Sequence, residues 1–147
     1  MVNVEIIIRF LNALHENLAL LRPMQKMTLK ELTANGIQWN GILHLLQLCV
    51  EQVSDIGAHL LAANDMTVPD EHREIIIKMG RSNFIPSEFA ERIGPMAGFR
   101  NVVAHEYLTI DPEKVGDVLY NHLTDFEEFS VYIYDYLRRE GYIKDEK

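Results

Sequence analysis

Apolar residues recur at helical spacing along most of the chain. Near the amino terminus they fall three or four positions apart, which places them on one face of a helix that Pro23 would end. A second series over roughly residues 39–63 is apolar on more than one side, as expected for a central helix of a bundle. The two series are Val4, Ile7, Leu11, Leu14, Leu18 and Leu21, then Ile42, Leu45, Leu46, Cys49, Val53, Ile56 and Leu60.

Helix start signals locate the remaining elements. The connection after Pro23 is predicted to contain one or two helical turns. Asp70 is predicted to cap a short helix, and Ser87 to cap a helix kinked at Pro95. Asp111 then caps a long final helix that is predicted to run to Gly141.

These elements define the fold class. No segment alternates between apolar and polar residues as a half-buried strand would. The sequence therefore predicts an all-α protein, an antiparallel bundle of four to five helices. We expect one domain over residues 1–147, because a chain of this length has room for a single core.

Net charge and cysteine content restrict how the protein can contact RNA and indicate its cellular compartment. The net charge is -8, and residues 106–147 carry 11 of the 22 acidic side chains. A chain this acidic should not hold nucleic acid through a broad basic face, so any RNA contact must be local. Cys49 is the single cysteine, which rules out an internal disulfide and is typical of a reducing compartment. We expect a cytoplasmic protein that does not enter a membrane.

The stretch "GFRNVVAHEY" carries the candidate chemistry. It brings Arg100, Asn101, His105 and Tyr107 into ten residues. On a helix, Asn101 and His105 share a face, whereas Arg100 and His105 are about 140° apart. A two-fold axis between two copies of the chain would bring an arginine and a histidine into one groove.

These residue types suit the cutting of RNA without a metal ion. Imidazole can transfer a proton near neutral pH, and guanidinium binds phosphate oxygens while staying charged. Asn101 can orient the imidazole or a phosphoryl oxygen, and Tyr107 can donate to phosphate or stack on a base. The stretch has no cluster of carboxylates to hold Mg²⁺. The alternative is structural: the same side chains could cap carbonyls or pair with Glu106.

The pattern Arg-Asn-x-x-x-His-x-Tyr at residues 100–107 resembles the signature of the HepT-like branch of the HEPN superfamily. The flanks at residues 49–62, 98–115 and 123–137 are similar to that family's central helix, motif and last helix. The resemblance spans roughly residues 40–140.

The resemblance implies a helical homodimer, with larger assemblies left open, and a ribonuclease toxin acting on an RNA substrate without cofactor or metal. Arg100 and His105 would be catalytic, with Asn101 and Tyr107 in support. It also implies a minimal nucleotidyltransferase as the antitoxin partner, which can transfer AMP units onto the motif tyrosine, here Tyr107.

Other polar residues leave alternatives open. Asp55 and His59 share a face of the second helix with Glu51, either as half of a metal site or as a polar seam in the bundle or the cleft wall. In the second case Asp55 could orient the motif helix through Arg100. The remaining histidines are interpreted as structural or exposed side chains without matching partners; they are His15, His44, His72 and His122.

Two rival functions remain at this stage. The bundle could be a non-catalytic module that binds a nucleotide or substrate for a nucleotidyltransferase partner. It could also be an assembly protein in which Arg100 and His105 only join helices.

Overall fold

Helices α1 (Val4–Leu21) and α3 (Gly36–Ala63) pack along each other and form the centre of the fold. A computed structural model describes residues 1–99 and 110–144, and within these residues the regular structure is entirely helical. Between α1 and α3 lie a 3₁₀ helix (Arg22–Lys26) and α2 (Leu29–Ala34). The predicted all-α class and the helical turns of this connection are confirmed.

Five further helical segments complete the described part of the chain. Helix α4 (His72–Arg81) packs on α3, and α5 (Ser87–Ile93) packs on α4. Residues 96–99 are again helical. Helix α6 (Pro112–Asn121) contacts α2 and the 3₁₀ helix, whereas α7 (Leu123–Arg139) contacts α1 and α3. No described helix combines the length and the apolar character needed to cross a bilayer.

The apolar series identified in the sequence forms the core. All members of the α1 series from Ile7 onward are buried, and α3 buries a wider face that includes Leu43, Val50 and Leu61, in agreement with a central position. Cys49 lies in this core, and burial raises the pKa of its thiol to about 12. The cysteine is therefore a packing residue rather than a nucleophile.

Several predicted boundaries are wrong. Glu71, not Asp70, stands at the N-cap of α4, and its side chain makes no capping bond. Ser87 is the first residue of α5, and Pro86 is its N-cap. Helix α3 begins three residues earlier than the apolar series indicated, because the Asn35 side chain accepts a hydrogen bond from Gln38 N–H and caps it.

The helix before the motif and the helix after it also end at positions other than those predicted. Helix α5 ends at Ile93 and a turn at 94–95 precedes the next helical residues, so Pro95 separates two helices instead of kinking one. The predicted long final helix is two helices that meet at His122. The two helices pack on different partners, and no proline or glycine stands at the junction to signal it in the sequence. Asp111 caps α6 as predicted, with its carboxylate accepting from Glu113 N–H.

Candidate functional site

The motif residues Arg100, Asn101, His105 and Tyr107 lie outside the described residues. Their roles, and the contact predicted between Asp55 and Arg100, therefore stay predictions. The structure does describe both ends of the chain that flank the motif: Phe99 and Ile110 are half-buried and pack against the core. The surroundings of these two ends define the candidate site.

Residues 95–98 form one wall of a cleft that we call the α4 cleft. Its opposite wall is the start of α4, and the cleft has a volume of about 260 Å³. The lining residues are Glu71, His72, Arg73, Pro95, Ala97 and Gly98. Because Gly98 precedes Arg100 by two residues, this cleft opens directly beside the chain that enters the motif.

The structure gives His72 a buried partner that the sequence interpretation missed. Ser54 is only 1 % exposed, and its hydroxyl oxygen lies 2.6 Å from Nδ1 of His72. The same hydroxyl is placed to donate to the backbone oxygens of Val50 and Glu51, each at 3.2 Å. The imidazole is thus held at Nδ1 by α3 while it lines the α4 cleft. No local spacing could have shown this pair, because 18 residues separate the two side chains.

Asp55 lies one residue after Ser54 on the surface of α3. Partial burial raises the pKa of its carboxyl, and the charge of Glu51 raises it further, whereas His72 lowers it. His59 does not join this group, because its Nε2 accepts a hydrogen bond from Asn3 N–H at 3.0 Å. The polar seam considered from the sequence therefore consists of Glu51, Ser54, Asp55 and His72.

The raised pKa of Asp55 predicts a cost to stability at neutral pH. The folded state releases this proton at higher pH than the unfolded state, so the ionised carboxyl favours unfolding above the folded pKa. Asp55→Asn is therefore expected to raise the thermal midpoint at pH 7 by roughly 1–3 °C. Thermal melts between pH 3 and 7 would test this: the two midpoints should converge in acid. A lower midpoint for Asp55→Asn at pH 7 would contradict it.

A second cleft, the α6 cleft, lies on the other side of residues 95–99. It measures about 250 Å³ and is lined by Arg92, Pro95, Met96, Phe99, Asp117, Val118, His122 and Asp125. Its lining combines residues that precede the motif with residues that follow it. The α6 cleft therefore joins the segment that leads into the motif to helices that follow it.

An ionic network crosses the α6 cleft. Arg92 donates to Asp125 at 3.0 Å and to Glu128 at 2.5 Å. His122 bridges the carboxylates of Asp125 and Asp117 at 3.0 and 3.2 Å. Asp125 is only 7 % exposed, so its charge is compensated inside the protein. The network joins α5, before the motif, to α6 and α7, after it.

The histidines were predicted to lack partners, and for three of them this is wrong. His72 bonds to Ser54, His122 bonds to two aspartates, and Nε2 of His15 lies 2.8 Å from Oγ of the buried Ser130. His44 is exposed on α3, as predicted. Each partner is distant in the sequence or lies across a helix junction, which explains why periodicity alone did not reveal it.

Comparison with solved structures establishes the class of fold. A tri-AMPylated HEPN toxin from Shewanella oneidensis, solved in complex with an MNT antitoxin, superposes with a TM-score of 0.79 at 22 % identity, covering 88 % of this chain and 97 % of the toxin. The cytosolic protein of unknown function YutE from Bacillus subtilis superposes with a TM-score of 0.83 at 17 % identity, covering 98 % and 96 %. The described helices thus form a bundle of the HEPN type.

Sequence comparison identifies the family. The ribonuclease HepT-like family pattern matches residues 14–133. The mRNA nuclease HepT of Shewanella oneidensis is 30 % identical over 90 residues, covering 61 % of this chain and 68 % of that protein. The tRNA nuclease HepT of Aphanizomenon flos-aquae is 35 % identical over 71 residues, covering 48 % of each. The chain belongs to the ribonuclease HepT-like family, which confirms the resemblance seen at residues 100–107.

Proposed function

We propose that this protein is the ribonuclease toxin of a toxin–antitoxin pair. The observation that carries the proposal is the family match over residues 14–133, which includes the Arg-Asn-x-x-x-His-x-Tyr pattern. The named relatives act on RNA: one is an mRNA nuclease and the other a tRNA nuclease. The fold supports the same function, because the described bundle superposes on a HEPN toxin.

The proposed reaction is a metal-independent transesterification. The 2′-hydroxyl of RNA loses a proton and attacks the adjacent phosphorus, and the leaving 5′-oxygen gains a proton. His105 serves as the general acid or base, and Arg100 holds the phosphoryl oxygens. Asn101 and Tyr107 support these two groups, and Asp55 orients the motif from α3.

We place this reaction in a groove between two copies of the chain. On a helix Arg100 and His105 point about 140° apart, so one copy alone would not direct both at a single phosphate. A homodimer with a two-fold axis at the motif supplies both groups from neighbouring chains.

The proposed partner is a minimal nucleotidyltransferase that adds AMP to Tyr107. Support comes from the Shewanella oneidensis HEPN toxin, which is tri-AMPylated and was solved in complex with an MNT antitoxin. A phosphate-linked nucleotide on Tyr107 would place bulk and negative charge close to Arg100 in the sequence. It would then compete with RNA for the guanidinium.

Cleavage assays with purified protein test the proposal. The protein is expected to cut tRNA or mRNA equally well with and without EDTA and to leave 2′,3′-cyclic phosphate ends. Addition of the nucleotidyltransferase and ATP should suppress the cutting. Absence of cleavage from tRNA, mRNA and total RNA would refute the toxin assignment, and cleavage that EDTA abolishes would refute the metal-independent mechanism.

The same assay separates the rival module. A nucleotide-binding module would bind AMP or ATP in calorimetry and cut none of the RNAs. It is the weaker candidate, because both curated relatives are named as nucleases.

A further inference from the structure

The α4 cleft presents a free cation beside the chain that enters the motif. Arg73 is exposed, and it has no ion pair or hydrogen bond with any residue in 1–99 or 110–144. A methyl group added to Gly94 would stand 3.8 Å from Cγ of Arg73, so the arginine stem lies across the turn before residues 96–99. A guanidinium in this place is available to a ligand.

His72 supplies a second polar group on the same wall. The bond between Nδ1 and Ser54 fixes the ring, and the histidine is half-buried rather than mobile on the surface. Opposite, the cleft wall at Gly98 has no side chain, and a methyl group added there would meet no atom of the described residues within 4 Å. The described residues therefore leave that wall of the α4 cleft open.

Size and chemistry together restrict the ligand. A volume of about 260 Å³ falls just below the roughly 300–1,000 Å³ of pockets for drug-sized molecules, which suits one nucleotide unit and not a folded RNA element. Guanidinium donates hydrogen bonds to phosphate oxygens. With Nδ1 of His72 engaged by Ser54, the ring keeps Nε2, which accepts from a ribose hydroxyl when neutral and donates to a phosphate oxygen when the ring is protonated. Among the described residues that line the cleft, Glu71 is the single carboxylate, and it opposes an anion there.

We propose that the α4 cleft is a subsite for the RNA nucleotide next to the one that is cut, with Arg73 binding its phosphate and His72 bonding to its sugar-phosphate backbone. The inference rests on the proposed ribonuclease function. It extends the RNA-binding surface from the motif to α4. It also explains how an acidic chain holds RNA, because Arg73 and His72 contact the RNA locally. Arg73 acts by binding, so it lowers KM and leaves kcat unaffected.

The matched control lies on the same helix. Arg81 is two turns after Arg73, is likewise exposed, and has no partner within the described ranges. Both arginines line the groove between α4 and α5, but only Arg73 also lines the α4 cleft. The comparison of Arg73→Ala with Arg81→Ala therefore separates the cleft from general charge on α4.

The probe for binding is a short oligoribonucleotide with 2′-O-methyl groups, which lacks the attacking hydroxyl and cannot be cut. For Arg73→Ala, the slope of log K against log salt is expected to fall in magnitude by about 0.7, the value for one lost phosphate contact with a single strand. Arg81→Ala should keep the wild-type slope. Glu71→Gln should tighten binding by about two- to threefold, because it removes the opposing charge.

Cleavage kinetics on a natural RNA provide the second measurement. Arg73→Ala and His72→Ala should each raise KM by about fivefold or more with kcat nearly unchanged, and His72→Gln should recover part of the loss. A helical circular dichroism spectrum and a cooperative thermal transition show that these variants are folded. Equal slopes and equal KM for Arg73→Ala and Arg81→Ala, or a fall in kcat alone, would overturn the subsite. That result differs from failure of the proposed function, in which the wild-type protein itself would not cut RNA.

Discussion

His105→Ala and Arg100→Ala are each expected to slow RNA cleavage by at least about a hundredfold. A positioned general acid or base contributes roughly 10²–10⁴ to a rate, and His105 is the imidazole of the motif. A group that stabilises developing charge contributes roughly 10²–10³, and we assign this role to Arg100. Both losses should appear in kcat, because these contacts strengthen in the transition state.

A suitable control is His44→Ala. His44 is exposed on α3, distant in sequence from the motif, so its removal should leave cleavage within about twofold of wild type. Analytical ultracentrifugation and circular dichroism would show whether each variant keeps its helical assembly. The catalytic assignment fails if His105→Ala cuts RNA at the wild-type rate in a preparation free of other nucleases.

The double variant adds information on the dimer. If Arg100 and His105 act as one unit, Arg100→Ala with His105→Ala should be little slower than the worse single variant. Mixing the two inactive single variants tests whether the groups come from different copies. Exchange of subunits would restore one intact groove in the mixed dimers, and recovered cleavage would support that arrangement.

Gly80→Val is expected to destabilise the fold by about 3 kcal/mol. A methyl group added at Gly80 would lie 2.6 Å from Cβ of Ala90 and 3.1 Å from Cα of Ser87. Neither atom can rotate away, since both are fixed by the backbone of α5. Helices α4 and α5 would have to separate, which would loosen the packing of Phe84 and Phe89 in the core.

Thermal and urea unfolding measure this effect. For a chain of this length, 3 kcal/mol corresponds to a fall in the midpoint of roughly 6–12 °C. Gly41→Val is the matched control, because a methyl group added at Gly41 in α3 meets no atom of the described residues within 4 Å. That variant should stay within about 0.5 kcal/mol of wild type, since valine and glycine differ little in helix propensity. Equal stabilities of the two variants would show that the α4–α5 contact is looser than described.

Much of the fold could be predicted because periodicity reports on burial. The α1 and α3 series became core residues, since a residue's position on a helix decides whether it faces the neighbour. Capping was harder to predict. Asp111 and Asn35 do cap helices, but Asp70 and Ser87 are suitable residues that the folded backbone does not use. The break at His122 depends on tertiary packing of α6 and α7 on different helices, which no local rule contains.

The candidate site, too, could be predicted from the sequence only in part. The motif was visible as a cluster of reactive side chains within ten residues, and the family comparison confirms what it resembles. The contacts of the residues around the motif could not be predicted from the sequence. The Ser54–His72 bond and the Arg92–Asp125 pair join residues 18 and 33 positions apart, so they exist only once the helices are packed. Arg73 was not singled out, because an exposed arginine on a short helix is unremarkable until its neighbour is known to be Gly98.

The inert thiol of Cys49 makes this chain convenient for spectroscopy. Maleimide and methanethiosulfonate reagents attack thiolates, and a buried cysteine with a pKa of about 12 offers almost none. A cysteine introduced at a surface position such as Ile37, which is 90 % exposed, would take a spin label or fluorophore alone. Distances between labels on separate copies could then map the quaternary arrangement in solution, with the native sequence otherwise intact.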